Sequence, residues 1–302
     1  MTATNVSGWT IGFVGLGKMG FPMARHLAEA GAHVVAWNRS DEPLQRAAAL
    51  GIQRTGSLDE LAKRVGEGIV CLNLTTTEVV QEIACGREGL ADHLDPGALV
   101  IDFGTTGVEA TRALAARMPW LDAPVSGGEV GAEAATLSIM VGGEEEAFHR
   151  ALPLFETLGK RVTYMGPSGA GQVTKMANQL IVAQTIDAVA QALRLAELAG
   201  VSSARVREAM LGGFADSRIL QLHGDRMVRR DFRPGGRAVW QLKDVRMICE
   251  LAAQVGLRSD SLDHCLALWE GFVTEEGHGE LDHAGLFLRY LENAPDHGIA
   301  TP

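Results

Sequence analysis

Three groups of residues in this chain have the types and spacing to do chemistry. The first is Gly169-Ala170-Gly171-Gln172-Val173-Thr174-Lys175-Met176-Ala177-Asn178-Gln179. Two glycines lead into a long uninterrupted helical pattern, and Lys175, Asn178 and Gln179 fall on one helical face at i, i+3 and i+4. An ammonium with amides one turn away can give a proton to a substrate oxygen and orient it. A lysine near an interdomain cleft has its pKa lowered by desolvation, as proton shuttling near neutrality needs. Taken alone, a first-turn lysine reads as a solvated residue, and its context has to overturn that.

The second group is Gly15-Leu16-Gly17-Lys18-Met19-Gly20, after an apolar run and before a helical one. The first glycine permits a tight turn, the second lets backbone approach a pyrophosphate, and the third lets helix and strand pack closely. The helix start then offers free N–H groups and a positive dipole end to phosphate. The next strand ends in Asn38-Arg39-Ser40, with no acid to grip a ribose 2′-hydroxyl and an arginine able to pair with a 2′-phosphate. NADP is therefore favoured, with NAD possible. The third group, Asp122-Ala123-Pro124-Val125-Ser126-Gly127-Gly128, ends a strand in a loop offering a hydroxyl and unobstructed N–H groups, which suit a small carboxylate; a plain turn would read alike.

The elements that must position these groups are legible in outline. Short β-branched runs at Thr10–Val14, Val34–Trp37, Ile69–Leu74, Leu99–Phe103, Leu121–Val125, Leu137–Val141 and Val162–Met165 alternate with amphipathic stretches such as Met19–Ala30, Ser57–Val65 and Val108–Met118. That alternation predicts an α/β domain over residues 9–168, a Rossmann-type doubly wound, mostly parallel sheet. Residues 169–199 read as an interdomain helix of roughly 40 Å. Segments near 203–211, 216–228, 239–255, 258–276 and 281–293 predict an all-α domain over 200–302.

Composition excludes several classes. Of 302 residues, 46% are hydrophobic and 21% charged, and the net charge of −10 draws the chain toward neither nucleic acid nor anionic lipid. No apolar run approaches the roughly 20 residues a bilayer needs. Met1 to Gly8 carries no cationic start or apolar run of a secretory signal. Cys71, Cys85, Cys249 and Cys265 lie far apart, reading as reduced thiols of a cytoplasmic protein with no metal site among them.

With these groups in this order, the chain resembles the β-hydroxyacid dehydrogenase (3-hydroxyisobutyrate dehydrogenase-like) family over about Trp9 to Leu288. The blocks Gly15–Ala24, Asp122–Gly143, Gly169–Gln179 and Lys243-Asp244 carry the likeness. The resemblance implies that Lys175 is the general acid/base, that Asn178 positions the substrate and that Ser126, Gly127 and Gly128 bind its carboxylate. It also implies that Lys243 approaches the nicotinamide side, that Thr105 lies beside the cofactor and that Leu74 and Thr75 line the adenosine side. The implied reaction is NADPH-dependent, reversible reduction of a small semialdehyde acid to its hydroxy acid. Asn178 at +3 and Gln179 at +4 from the lysine differ from many relatives and are similar to the tartronate semialdehyde (2-hydroxy-3-oxopropionate) reductase branch. Ala135 stands where relatives often carry glycine before Thr136-Leu137.

Phe214, Asp216 and Trp240 flank the Gly212-Gly213 turn and Lys243 and are candidate substrate contacts, as is Gln179. His278, Glu280, Asp282 and His283 form a polar cluster for which no metal role is expected. Alternatives are a 3-hydroxyisobutyrate or other 3-hydroxy acid dehydrogenase, an imine reductase and, from another class, a non-catalytic cofactor-binding module. The last two resemble the family without its lysine, so Lys175 opposes both. The family's helical domain pairs with a neighbour, implying a homodimer or homotetramer.

Overall fold

A computed structural model describes residues 5–292 of the chain. Contacts divide it into two compact units, with the boundary between Lys175 and Met176. In the first unit, strands β1 (Thr10–Val14), β2 (His33–Trp37), β3 (Gln53–Arg54), β4 (Ile69–Leu72), β5 (Leu99–Asp102) and β6 (Trp120–Asp122) are all parallel and lie in the order β3-β2-β1-β4-β5-β6. This is the Rossmann order, with its topological switch point between β1 and β4. Past β6 the sheet continues through β8 (Leu137–Gly142), antiparallel to both β6 and β7 (Val125–Ser126), and β9 (Gly159–Gly166), which is parallel to β8.

The strand expected over Leu121–Val125 is two strands, β6 and β7. Pro124 between them has no N–H to donate to a ladder, so the pairing with β5 ends at Asp122 and β7 runs on along β8 alone. Strand β3, two exposed residues long, had no periodic signal to betray it.

Helices α1 (Gly20–Glu29), α2 (Asp41–Ala48) and α7 (Glu145–Leu158) pack on one face of the sheet, where Phe13, Met23, Leu27, Leu44, Phe155 and Leu158 share a core. On the other face, α3 (Leu58–Val65), α4 (Thr77–Cys85) and α5 (Val108–Ala115) bury Leu61, Val80 and Leu114 against Val14 and Leu72. A short α6 (Gly128–Glu133) follows β7. With both faces covered, the strands are continuous apolar runs, as parallel sheets require.

Helix α8 (Ala170–Leu198) runs 29 residues, roughly 43 Å. The second unit takes most of it and adds α9 (Ser203–Met210), α10 (Arg218–Arg229), α11 (Ala238–Val255), α12 (Asp260–Glu270) and α13 (Leu288–Glu292). Its core joins Ile186 and Leu193 of α8 to Met227, Leu242, Trp269 and Phe287. The single helix expected near 258–276 is α12 followed by a π-turn over Gly271–Glu275, and that expected near 281–293 opens with a 3₁₀ turn over His283–Phe287; residue 293 lies outside the described residues. Among the described residues, no helix is long and apolar enough to cross a membrane.

Candidate active site

The glycine-rich loop connects β1 to α1 at the switch point. Gly15 has φ +95°, and a Cβ there would stand 2.3 Å from the Asn73 carbonyl oxygen. At Gly20 a Cβ would stand 1.9 Å from the Gly15 carbonyl oxygen, so the helix can begin there only without a side chain. A Cβ on Gly17, by contrast, would meet nothing within 4 Å, leaving open space beside its backbone. Helix α1 has no side-chain cap and no acid in its first turn, so its leading N–H groups and dipole suit an anion. These features fit the pyrophosphate of a dinucleotide.

Asn38 works within this loop: its Oδ1 accepts from Leu16 N at 2.9 Å, and its Nδ2 donates to the Ser40 carbonyl at 2.9 Å and Ser40 Oγ at 3.0 Å. It ties the cradle to the end of β2. Arg39 lines an open groove of about 960 Å³ with Trp37, Ser57, Val79, Ile83 and His93. Asp59, also on that groove, is engaged by Lys63 at 2.7 Å and lies 3.3 Å from His93. The Lys63 hydrogen bond holds its carboxyl below the usual range. Leu74 and Thr75 follow β4. A Cβ on Gly15 would lie 3.0 Å from Leu74 Cδ2, and one on Gly104 2.9 Å from the Leu74 carbonyl, so the turns after β1, β4 and β5 converge. Thr105 sits in the last of them. Lys18 Nζ reaches Glu129 Oε2 at 3.6 Å, linking the phosphate loop to the start of α6.

The Ser126-Gly127-Gly128 loop leaves β7 with Gly127 and Gly128 at φ +134° and +62°. Lys175, buried, donates from Nζ to the Val125 carbonyl oxygen at 2.9 Å, immediately before Ser126. The ammonium therefore sits at the mouth of the proposed carboxylate loop. Ala135 adopts φ +51°, a left-handed conformation that glycine takes without strain, in keeping with the glycine that the resemblance gives many relatives there.

In the second unit two hydrogen bonds and an ion pair link Asn178, Gln179 and Lys243 through Asp244. Asn178 Nδ2 donates to Gln179 Oε1 at 2.9 Å, Gln179 Nε2 donates to Asp244 Oδ2 at 2.6 Å, and Lys243 Nζ lies 3.2 Å from Asp244 Oδ1. Asp244 is the buried hinge of these contacts, and no sequence argument assigned it a role. Trp240, on the same helix as Lys243, lies under the Arg237 guanidinium at 4.9 Å. Phe214 is fully exposed on its turn. Asp216 is occupied locally: it accepts from Gly212 N at 2.9 Å and Gln221 Nε2 at 3.0 Å, contacts that hold its carboxyl below the usual range.

The C-terminal polar cluster is a brace. Asp282 accepts from the N–H groups of Gly235, Gly236 and Ala284, and lies 3.3 Å from His223 and 3.5 Å from Arg226. Glu280 pairs with Arg237, and the His278 ring packs on Phe272. Among the described residues no group of three or more His, Cys, Asp or Glu could hold a metal. Burial opposes ionisation of Asp282, but His223 and the Ala284 N–H outweigh it and hold the carboxyl below its ordinary range. Burial, aided by the neighbouring His223 charge, holds the His283 imidazole down at about 4. The unfolded chain thus binds protons at His283 from about pH 6.5 downward, and the folded chain only near 4. Stability should fall on the order of 2 kcal/mol as pH drops through that window, read from urea unfolding at pH 7 and 4.5. A level profile would refute the assignment.

Residues 10–166 match the family described as the NAD binding domain of 6-phosphogluconate dehydrogenase, and residues 169–290 that described as the NAD-binding region of NADP-dependent 3-hydroxyisobutyrate dehydrogenase. The 2-hydroxy-3-oxopropionate reductase of Escherichia coli (strain K12) is 38% identical over 297 residues, covering 96% of this chain and 99% of that protein. The chain belongs to the 3-hydroxyisobutyrate dehydrogenase-like family. The NAD-dependent L-serine dehydrogenase of Pseudomonas aeruginosa is 31% identical over 90% of this chain and 94% of its own length. A solved structure, Mycobacterium tuberculosis 3-hydroxyisobutyrate dehydrogenase with L-serine, superposes with a TM-score of 0.85 at 30% identity, over 95% of this chain and 100% of that one. The chain is thus a nicotinamide-dependent oxidoreductase acting on CH–OH groups, of the 3-hydroxy acid dehydrogenase type.

Proposed function

We propose that this chain is an NADPH-dependent reductase of a small semialdehyde acid, tartronate semialdehyde or a near analogue, working reversibly through Lys175. The observation that carries the reading is the Lys175 ammonium 2.9 Å from the Val125 carbonyl, at the entrance to Ser126-Gly127-Gly128. Bound nicotinamide supplies the hydride in reduction and accepts it in oxidation. The Ser126 hydroxyl and the Gly127 and Gly128 N–H groups hold the substrate carboxylate, fixing the aldehyde relative to Lys175. As the aldehyde oxygen gains charge, Nζ gives it a proton; in the oxidising direction the neutral amine takes that proton back. Asn178 orients the oxygen, with Gln179 and Asp244 fixing the amide and Lys243. The 38% identity to a 2-hydroxy-3-oxopropionate reductase supports the substrate class.

The test is NADPH oxidation with tartronate, methylmalonate and succinate semialdehydes, repeated with NADH. L-serine oxidation is assayed beside it, because relatives are named for or bound to that amino acid. A cyclic imine completes the panel. Turnover of the imine alone would discard the reading.

Arg39 supports the cofactor preference, since it makes no hydrogen bond or ion pair among the described residues and borders an open groove. Arg39→Ala should lower kcat/KM for NADPH by ~10- to 100-fold, the worth of a charge-assisted phosphate contact. Efficiency with NADH should stay within about threefold. Equal losses with both cofactors would remove Arg39 from cofactor selection.

We also assign the protein to the cytoplasm as a homodimer or homotetramer. Exposed Ile181, Leu195, Phe214 and Val255 on the helical unit support self-association. Light scattering at micromolar concentration measures it.

A further inference from the structure

The lysine's position rests on a buried polar junction that the reaction itself does not use. Asp122, at the end of β6, is fully buried. Its Oδ1 accepts from Gly169 N at 2.8 Å and its Oδ2 from Gln172 N at 2.9 Å, so one carboxylate from a distant strand caps the start of α8. A carboxylate at a helix N-terminus satisfies orphan donors and meets the positive dipole end. Gln172, also fully buried, continues the junction: its Oε1 accepts from Thr106 N at 3.1 Å and its Nε2 donates to the Gly104 carbonyl at 3.0 Å. That clips the Gly104–Thr106 turn, which carries Thr105, to the helix that carries Lys175. The turn is fixed from its other side by Asp102, which accepts from Gly104 N at 2.8 Å and Thr106 Oγ1 at 2.5 Å.

Two glycines make room for the junction. A Cβ on Gly142 would lie 2.8 Å from both Asp122 carboxylate oxygens, and one on Gly171 would lie 2.4 Å from the Met140 carbonyl and 2.6 Å from that of Asp122. Backbone therefore packs on backbone where α8 meets β6 and β8, and the helix has one seat.

We infer that Asp122 and Gln172 are positioning residues, which lock the first turn of α8 to the ends of β5 and β6 and so fix both Lys175 over the Val125 carbonyl and the Thr105 turn beside it. Their side chains are spent on Gly169, Gln172, Thr106 and Gly104, and neither is given a contact with the reacting atoms. The inference rests on Lys175 being the proton donor of the proposed reaction.

Asp122→Asn is nearly isosteric, but turns an NH2 donor toward one of the two N–H groups the carboxylate receives, so one cap contact becomes repulsive. Gln172→Glu keeps the acceptor for Thr106 N and loses the donor to Gly104 O. It is the milder change if the first variant folds poorly. Each should lower kcat by ~10-fold or more and raise the primary isotope effect measured with 4-deuterated NADPH, because misplacement slows the chemical step. In the apo protein, hydrogen exchange of the 166–176 segment should speed up in Asp122→Asn.

Unchanged exchange would overturn the inference. So would a lower kcat with an unaltered isotope effect, because a purely structural loss reduces the active fraction without changing the chemical step. The exchange measurement needs no substrate. A wild-type chain inert toward every semialdehyde would therefore condemn the assigned reaction, while the helix seat would still be judged by exchange.

Discussion

Replacing Lys175 by alanine should lower kcat by ~10²-fold or more while leaving NADPH binding within about twofold. The expected size follows from the lysine's role. A positioned proton donor commonly contributes 10²–10⁴-fold, and the carboxylate loop that aligns the aldehyde remains in place. Nζ meets the Val125 carbonyl, whereas the features that fit the pyrophosphate lie in the glycine cradle after β1, so cofactor affinity should hold. Deleting the side chain also leaves the Val125 carbonyl short of a donor, a loss on the order of 1 kcal/mol. Thermal unfolding should register that, and it is too small to explain the lost turnover. Single-turnover rates and an NADPH fluorescence titration separate the two effects. Equal turnover in the variant would remove Lys175 from the chemistry.

Gly20→Ala should weaken NADPH binding by ~10²-fold and destabilise the first unit by roughly 1–3 kcal/mol. An added Cβ would stand 1.9 Å from the Gly15 carbonyl and 3.1 Å from the Phe13 ring, both parts of a packed framework. Helix α1 must then withdraw from β1, and its leading N–H groups withdraw with it. Gly17→Ala is the informative control, because a Cβ there meets nothing within 4 Å. That variant should keep its melting temperature and lose affinity alone, since the methyl occupies the space a pyrophosphate would approach. Calorimetry and NADPH titration on both variants check the contrast, and identical behaviour of the two would discard the separate roles given to these glycines.

Much of the first unit could be read from the chain because its constraints are local. Gly15, Gly17 and Gly20 are each required within a few residues of where they act, and the apolar runs of β1, β2, β4 and β5 are buried on both faces. The break at Pro124 was written in the sequence too, but a proline between apolar residues does not say which neighbouring strand keeps its pairing. The same limit hid Asp122, Gln172 and Asp244. A buried polar side chain declares itself only through partners brought from elsewhere, and Asp122 meets Gln172 across fifty positions. Lys175, Asn178 and Gln179 were legible as a helical face, whereas the Asp244 contact that fixes the amides was not. Asp216 illustrates the opposite case, a plausible substrate contact already engaged by its own turn.

The single seat of α8 sets how this protein can vary. Each residue inserted or deleted between Gly171 and Lys175 would swing the side chain by about 100° around the helix axis, carrying the amine off the Val125 carbonyl altogether. The interval from Gly171 to Lys175 therefore behaves as a gauge of fixed length. The exposed connection after α2, around Leu50 and Gly51, carries no such register and can absorb added residues with little consequence for turnover.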